Sequence, residues 1–208
     1  MKFNMIVAGV GGQGTIIASH MLADAAIRSG LRARVGETFG AAMRGGAVAS
    51  HVRLGDVVAP LVPGASASLV LAVEPLEGLR VAVPYLAPGG LVISNTRPLY
   101  PVDVNTGAAT YPSLAQIQDA VRRLQGLPYF FDATALALEA GDARTTNVVM
   151  LGALLATDLL PVTAEVLRET ILSRVPPKTR QANARALALG EEAMRRLWRG
   201  SSHGRGSR

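Results

Sequence analysis

Residues 9–14 read Gly-Val-Gly-Gly-Gln-Gly, directly after the apolar run 3–8. Four glycines in six positions give a backbone free to turn tightly and to approach another group closely. Over residues 15–29 the apolar side chains of Ile16, Ile17, Met21, Leu22 and Ile27 recur at helical spacing, and Gly30 supplies a stop. Residues 31–38 resume as a strand. Strand, glycine loop, helix and strand form the opening unit of a helix-covered parallel sheet. The expected fold class is therefore α/β: an open, doubly wound, mostly parallel sheet with a Rossmann-like first unit.

The rest of the chain fits that frame. Val48, Ser50, Val52 and Leu54 alternate with Ala49, His51 and Arg53, as in a strand with one wet face. Residues 69–73 are another apolar strand, 76–86 a helix that Pro84 ends or kinks, and 91–94 a strand entered by the turn Pro88-Gly89-Gly90. Residues 97–112 hold three prolines and read as irregular. Ser113 caps a helix to about Gln125, and 129–132 is the last strand. From about 133 onward the pattern is helical: 133–140, 147–160, 164–173 and 179–198, with Thr163 an N-cap that lacks the acid of a full capping box. Residues 1–198 are expected to form one α/β domain. The tail 199–208, polar and glycine-rich, is expected to be disordered.

Composition removes several classes of function. The chain has 208 residues and no cysteine, which excludes disulfides, thiolate metal sites and any iron–sulfur cluster held by this chain alone. Its three histidines, His20, His51 and His203, lack zinc-site spacing. The longest apolar stretch, 148–162, is broken by Asp158 and Pro161 and is too short to span a bilayer. No secretion signal is evident, so a soluble cytoplasmic protein is expected. The net charge of +6 suggests nucleic acid, but three of the arginines lie in the last ten residues, aromatics make up only 4%, and no nucleic-acid motif occurs. A second basic group, Arg174, Lys178, Arg180 and Arg185, reads as a solvated helical face or as a surface for an acidic partner or a phosphate.

Gly9, Gly11 and Gly14 satisfy G-x-G-x-x-G between a strand and a helix, where backbone amides can meet an anion. Glu37, 23 residues past Gly14, stands where a ribose-binding acid would stand in a dinucleotide site. Two features do not fit a nicotinamide enzyme. No downstream motif supplies an acid or base for hydride transfer, and a second glycine cluster, Arg44-Gly45-Gly46, needs a role. Both clusters also admit a purely packing role. A Walker-type loop is excluded, since no Gly-Lys-Ser/Thr occurs, and no Gly-x-Ser-x-Gly elbow is present.

Taken in order, residues 9–14, Val35-Gly-Glu-Thr38, Arg44-Gly-Gly46, Ser50-His-Val-Arg-Leu-Gly55, Asn147-Val-Val-Met-Leu-Gly-Ala153, Val175-Pro-Pro-Lys178 and Asn183 resemble a known family. The resemblance is to the gamma subunit or domain of the 2-oxoacid:ferredoxin oxidoreductases, and within them to the small subunit of the indolepyruvate type. It covers nearly the whole chain short of the tail. It implies oxidative decarboxylation of a 2-oxoacid with coenzyme A to an acyl-CoA and carbon dioxide, with electrons passed to ferredoxin. Thiamine diphosphate, magnesium and iron–sulfur clusters serve that chemistry. This chain offers neither cysteines nor a Gly-Asp-Gly…Asn-Asn pattern, so the resemblance implies a larger partner subunit that holds them. Phe39 and Met43 depart from the polar residues usual in the indolepyruvate type, and residues 41–46 lean toward the oxoglutarate or branched-chain types. Residues 36–38 and 50–52 favour the arylpyruvate branch.

The expected site follows from strand ends. Gly11, Gly12, Gln13, Gly14 and Thr15 should share a crevice with Arg44, Gly45 and Gly46 and hold an anion, either coenzyme A or the partner's thiamine diphosphate. Glu37, His51 and Asn95 are candidate polar contacts, Asn95 reading more readily as a turn residue. No residue is assigned as catalytic and none as a metal ligand. The rival readings are a free-standing NAD(P)-binding oxidoreductase and a pure scaffold subunit.

Overall fold

The computed structural model describes residues 1–40 and 46–200. Arg44, Gly45 and the tail from 201 lie outside the described residues. The elements run β1 (Lys2–Val10), α1 (Thr15–Arg28), β2 (Ala33–Phe39), β3 (Ala47–Gly55), β4 (Ala67–Ala72), α2 (Pro75–Tyr85) and β5 (Leu86–Asn95). Then come a single turn α3 (Val102–Asn105), α4 (Leu114–Arg123), β6 (Leu127–Phe131), α5 (Ala133–Ala140), α6 (Thr146–Leu155), α7 (Ala164–Arg174) and α8 (Arg180–Gly200). Among the described residues no helix is long and apolar enough to cross a membrane.

The sheet order is β2-β3-β1-β4-β5-β6. β1, β4, β5 and β6 pair in parallel, and β3 is antiparallel to both its neighbours. Five strands thus share one direction, and the opening β1–loop–α1–β2 unit forms as expected. β3, however, is inserted between β1 and β2. β5 also starts earlier than its apolar run suggests. Leu86 pairs with Ala67 and Leu91 with Leu69, so Pro88, Gly89 and Gly90 form an excursion within the strand. Gly89 takes φ +78° there, a value that favours glycine.

The two-residue period of the strands sorts the core into two layers. Met5, Val7, Leu69, Leu71 and Ile93 face α1, α5, α6, α7 and α8. Ile6, Ala8, Val70 and Val92 face the other way, toward α2 and α4. α4 is held by the complete capping box of Ser113 and Gln116, and Thr163 caps α7 through the Val166 amide. His51 is buried in the second layer. Its Nδ1 accepts the Val62 amide at 3.1 Å, and its ring stands edge-on to Tyr85 with centroids 5.0 Å apart. Nδ1 is therefore the unprotonated nitrogen, and the protonated Nε2 is buried with no hydrogen-bond partner among the described residues.

α6 is buried on every side. It lies so close to α8 that a Cβ on Gly152 would come 2.2 Å from the Leu187 carbonyl oxygen, and one on Gly190 would come 1.9 Å from the Val149 oxygen. Each helix meets the other's backbone where it lacks a side chain. Gly190→Ala should therefore destabilise the fold by about 2 kcal/mol or more, since overpacking against backbone outweighs the gain of about 1 kcal/mol in helix propensity. Chemical denaturation checks this through the midpoint at unchanged slope.

Burial lowers the His51 pKa below its ordinary 6.5. Because the unfolded chain binds the proton more readily, stability is complete above pH 6.5 and falls as the pH drops toward the folded value. The melting temperature should thus decline from pH 7 to pH 5. His51→Asn, which keeps an acceptor for the Val62 amide but cannot titrate, should flatten that slope.

Candidate functional site

The glycine loop leaves β1 at its carboxyl end, beside the end of β4, and is held from three sides. The Gly11 amide donates to the Gly46 carbonyl at 2.8 Å. The Gln13 amide donates to Val10 O at 3.1 Å, and Gln13 Oε1 accepts the Val10 amide at 2.7 Å. Gly14, at φ +79°, stands as the N-cap of α1 and offers no side-chain cap. Its carbonyl accepts Asn147 Nδ2 from the start of α6 at 3.2 Å. A Cβ on Gly14 would lie 2.5 Å from that same nitrogen. Glycine here answers both a left-handed backbone and a neighbour in van der Waals contact.

The first internal bond of α1 runs from the Ala18 amide to Gly14 O at 3.0 Å. The amides of Thr15, Ile16 and Ile17 therefore have no acceptor among the described residues, the usual condition of an uncapped helix start. A cleft of about 500 Å³ opens over this point. It is lined by Gly12, Gln13, Gly14 and Ile17 from the loop and α1, by Val73 and Thr134 from the end of β4 and the start of α5, and by Ala143, Arg144, Thr146 and Asn147 at the entry to α6. The lining holds no carboxylate and one cation, Arg144, which is already paired with the Asp142 carboxylate just outside it. Orphan amides, a helix dipole and a guanidinium together favour an anion.

A second cleft of about 450 Å³ shares Ile17, Arg144 and Asn147 with the first and adds Arg174, Val175, Pro176, Lys178 and Asn183. Arg174 is paired with Asp24 at 2.6 Å, and Arg144 grips Asp142 through Nε and a terminal nitrogen. That contact holds the Asp142 carboxyl below the ordinary carboxylate range. Lys178 has no ion pair among the described residues. Four of the segments that carry the family resemblance, residues 9–14, 147–153, 175–178 and Asn183, thus meet around two adjoining clefts.

The expected site residues divide accordingly. Gly12, Gln13 and Gly14 line the first cleft. Gly11 lies behind it, with its amide spent on Gly46, and Thr15 is buried at the helix start. Gly46 meets the glycine loop through its carbonyl, which accepts the Gly11 amide, and lines neither cleft; Arg44 and Gly45 fall outside the described residues. Glu37 does not reach the cleft. It sits on β2, beyond β3, and pairs with His20 Nε2 on α1 at 3.3 Å. His51 lies in the α2 layer and lines neither cleft. Asn95 is neither a turn residue nor part of the lining. It is buried at the end of β5, where Nδ2 donates to Val73 O at 3.1 Å and to Thr134 Oγ1 at 3.0 Å, and Oδ1 accepts the Ala133 amide at 3.0 Å.

Sequence reasoning missed Thr134, Arg144 and Thr146, and placed Asn147 only within a resemblance. The available signal was the polar run Asp142–Thr146 ahead of a wholly apolar helix, since such a helix must start at a buried edge. Among the described residues no group of three or more His, Asp or Glu stands where it could hold a metal ion. The carboxylates of Glu74 and Glu77 are instead structural. Glu74, nearly fully buried, caps α2 through the Glu77 amide at 2.8 Å and accepts the Tyr111 hydroxyl and the Leu99 amide. Burial and that carboxylate push the Tyr111 hydroxyl well above its ordinary pKa.

Comparison with known proteins finds relatives over most of the chain. The chain is 44% identical over 198 residues to the indolepyruvate oxidoreductase subunit IorB of Thermococcus kodakarensis, covering 94% of this chain and 98% of that one. It is 40% identical over 190 residues to the IorB subunit of Archaeoglobus fulgidus, covering 91% and 94%. The pyruvate oxidoreductase subunit PORC of Thermotoga maritima has a similar solved structure, with a TM-score of 0.69 at 25% identity, covering 92% of this chain and 96% of that one. Residues 4–193 match the family described as pyruvate ferredoxin/flavodoxin oxidoreductase. With that match spanning both core layers and both clefts, the chain belongs to the pyruvate ferredoxin/flavodoxin oxidoreductase family, whose members compared here are subunits of oxidoreductases.

Proposed function

We propose that this chain is the subunit of a cytoplasmic 2-oxoacid:ferredoxin oxidoreductase that carries none of its redox cofactors, and that the oxoacid is an arylpyruvate such as indolepyruvate. The observation that carries this reading is the end-to-end likeness, at 44% identity, to subunits named for indolepyruvate. The overall reaction cleaves the carboxyl carbon of the oxoacid as carbon dioxide and joins the remaining acyl group to the sulfur of coenzyme A. Two electrons pass to ferredoxin and the thiol proton is released. Thiamine diphosphate with magnesium, and the iron–sulfur clusters, belong to a larger partner subunit in this reading. The chain has no cysteine for a cluster and no step of the chemistry is assigned to its side chains.

The role of this chain is to bind. The uncapped start of α1, the amides of Gly12 and Gly14, which have no acceptor among the described residues, and the terminal nitrogen of Arg144 that does not meet Asp142 suit a phosphate, and coenzyme A is the phosphate-bearing substrate of the reaction. Gly40 and Gly46, fixed by the Gly40 amide to Ala47 O and the Gly11 amide to Gly46 O, bring both flanks of Arg44 to the base of the β2–β3 hairpin beside the loop. Arg44 is therefore a second cationic contact in the proposal. The dinucleotide reading is weaker, because Glu37 stands two strands from β1 and lines neither cleft.

The test is to co-purify the tagged chain from its host with its partner and assay iron, thiamine diphosphate and arylpyruvate-dependent dye reduction with coenzyme A varied. Arg144→Ala and Arg44→Ala should each raise KM for coenzyme A by about tenfold, the loss of one charge-assisted hydrogen bond, with the complex intact. Unchanged KM in both, with disassembly on charge reversal at Lys178 or Arg185, would instead identify a scaffold. A lone chain that binds NADH stoichiometrically and loses it on Glu37→Ala would overturn the proposal in favour of the dinucleotide reading.

A further inference from the structure

Thr134 is the second residue of α5, and its hydroxyl faces a constrained choice. Asn95 is oriented by backbone groups whose roles are fixed. Its Nδ2 meets the Val73 carbonyl at 3.1 Å, and its Oδ1 meets the amides of Ala133 at 3.0 Å and Thr134 at 3.4 Å. A carbonyl can only accept and an amide can only donate, so the carboxamide has one orientation. The second Nδ2 proton then points to Thr134 Oγ1 at 3.0 Å. The hydroxyl oxygen is committed as an acceptor, and its own proton must be donated elsewhere. No acceptor for it occurs among the described residues, and the residue is half-buried in the lining of the glycine-loop cleft.

We propose that the Thr134 hydroxyl donates a hydrogen bond to the anion held in this cleft, and that Asn95 is the positioning residue that turns it there. The inference rests on the phosphate reading above. The amides of the glycine loop and the Thr134 hydroxyl approach the cleft from different elements, so together they fix a tetrahedral group by direction as well as by charge. Asn95 ties the end of β4, its own strand and the start of α5 into one unit, and this sets the place of the hydroxyl relative to the loop.

The experiment is steady-state kinetics of the assembled complex with coenzyme A as the varied substrate. Thr134→Val, nearly isosteric and without the donor, should raise KM for coenzyme A about tenfold with kcat within about twofold, while Thr134→Ser should stay within about twofold of wild type. Asn95→Asp presents an acceptor that draws the Thr134 proton away from the cleft. It should raise KM similarly, and adding Thr134→Val to it should raise KM no further. Should Asn95→Asp fail to fold, with a carboxylate facing Val73 O, the valine and serine variants still decide the donor role. If Thr134→Val behaves as wild type while Arg144→Ala raises KM, the hydroxyl is no ligand donor and the inference is overturned with the cleft reading intact. If neither variant changes KM, the cleft does not hold coenzyme A. Additive effects of Asn95→Asp and Thr134→Val would overturn the positioning role.

Discussion

The contact of α6 with α8 governs the geometry of the site. A helix buried on all sides must pack by backbone proximity wherever its neighbours leave no room, and Gly152 and Gly190 supply that proximity in both directions. Their two clashes would be with carbonyl oxygens rather than with flexible side chains, so relief would require the helices to part. α6 is thereby fixed between the sheet and α8, and its first turn is fixed with it. Asn147 in that turn reaches Gly14 and pins the glycine loop. A packing constraint more than 35 residues from Asn147 in sequence, at Gly190, therefore bears on a loop at the other end of the chain. This explains how a 10-residue helix without a charged side chain matters to a binding cleft.

The loop itself shows how a glycine-rich segment divides its polar groups. The amides of Gly11 and Gln13 and the side chain of Gln13 are spent internally, which makes the loop rigid. The amides at the head of α1 are unspent. Rigid walls with unspent donors are what an anion site requires, because the donors need no reorganisation when a ligand arrives. The adjacent C-terminal edge of β4 is organised differently. There Glu74 absorbs three donors and ties the 96–112 segment down through Tyr111 and Leu99, so the buried carboxylate is fully satisfied and contributes order rather than chemistry.

Much of the fold was legible because period and punctuation carry it. The apolar spacing of α1, the Ser113 and Thr163 caps and the run of C-terminal helices are all read from local pattern, whereas the wet face that alternation suggests for β3 is not there: His51 and Arg53 on it are buried, His51 against Tyr85 and Arg53 in hydrogen bonds to Asn4 and the carbonyls of Ala59 and Leu61. What local pattern does not encode is which strands become neighbours. β3 reads as one more strand, yet it enters antiparallel between β1 and β2, and only non-local pairing decides this. The same limit explains the start of β5, where Leu86 finds Ala67 before the Pro88–Gly90 excursion. The site was half legible for a related reason. The glycine loop announces itself in sequence, whereas Thr134, Arg144 and Asn147 come from elements over a hundred residues later and are gathered by packing. Asn95 carried no cue to its role, since an Asn that clamps two strand ends and a helix start looks in sequence like any Asn before a turn.

The insertion of β3 also separates what a G-x-G-x-x-G sequence establishes from what it suggests. The glycines and the helix start are a device for holding negative charge, and nothing in them specifies a dinucleotide. That specificity needs a second strand beside the first, carrying an acid to the ribose. Here the strand that carries Glu37 is displaced by one position, about 4.8 Å per strand in the hydrogen-bonding direction. The acid then finds His20 on α1 instead of a ligand. The second anchor of this cleft comes from the opposite direction, from the starts of α5 and α6 with Arg144 between them. A loop shared with dinucleotide-binding folds is in this way placed opposite a different wall, one in which Arg144 is paired with Asp142, the Thr146 hydroxyl donates to Ala143 O and Asn147 donates to Gly14 O, and no ribose acid stands.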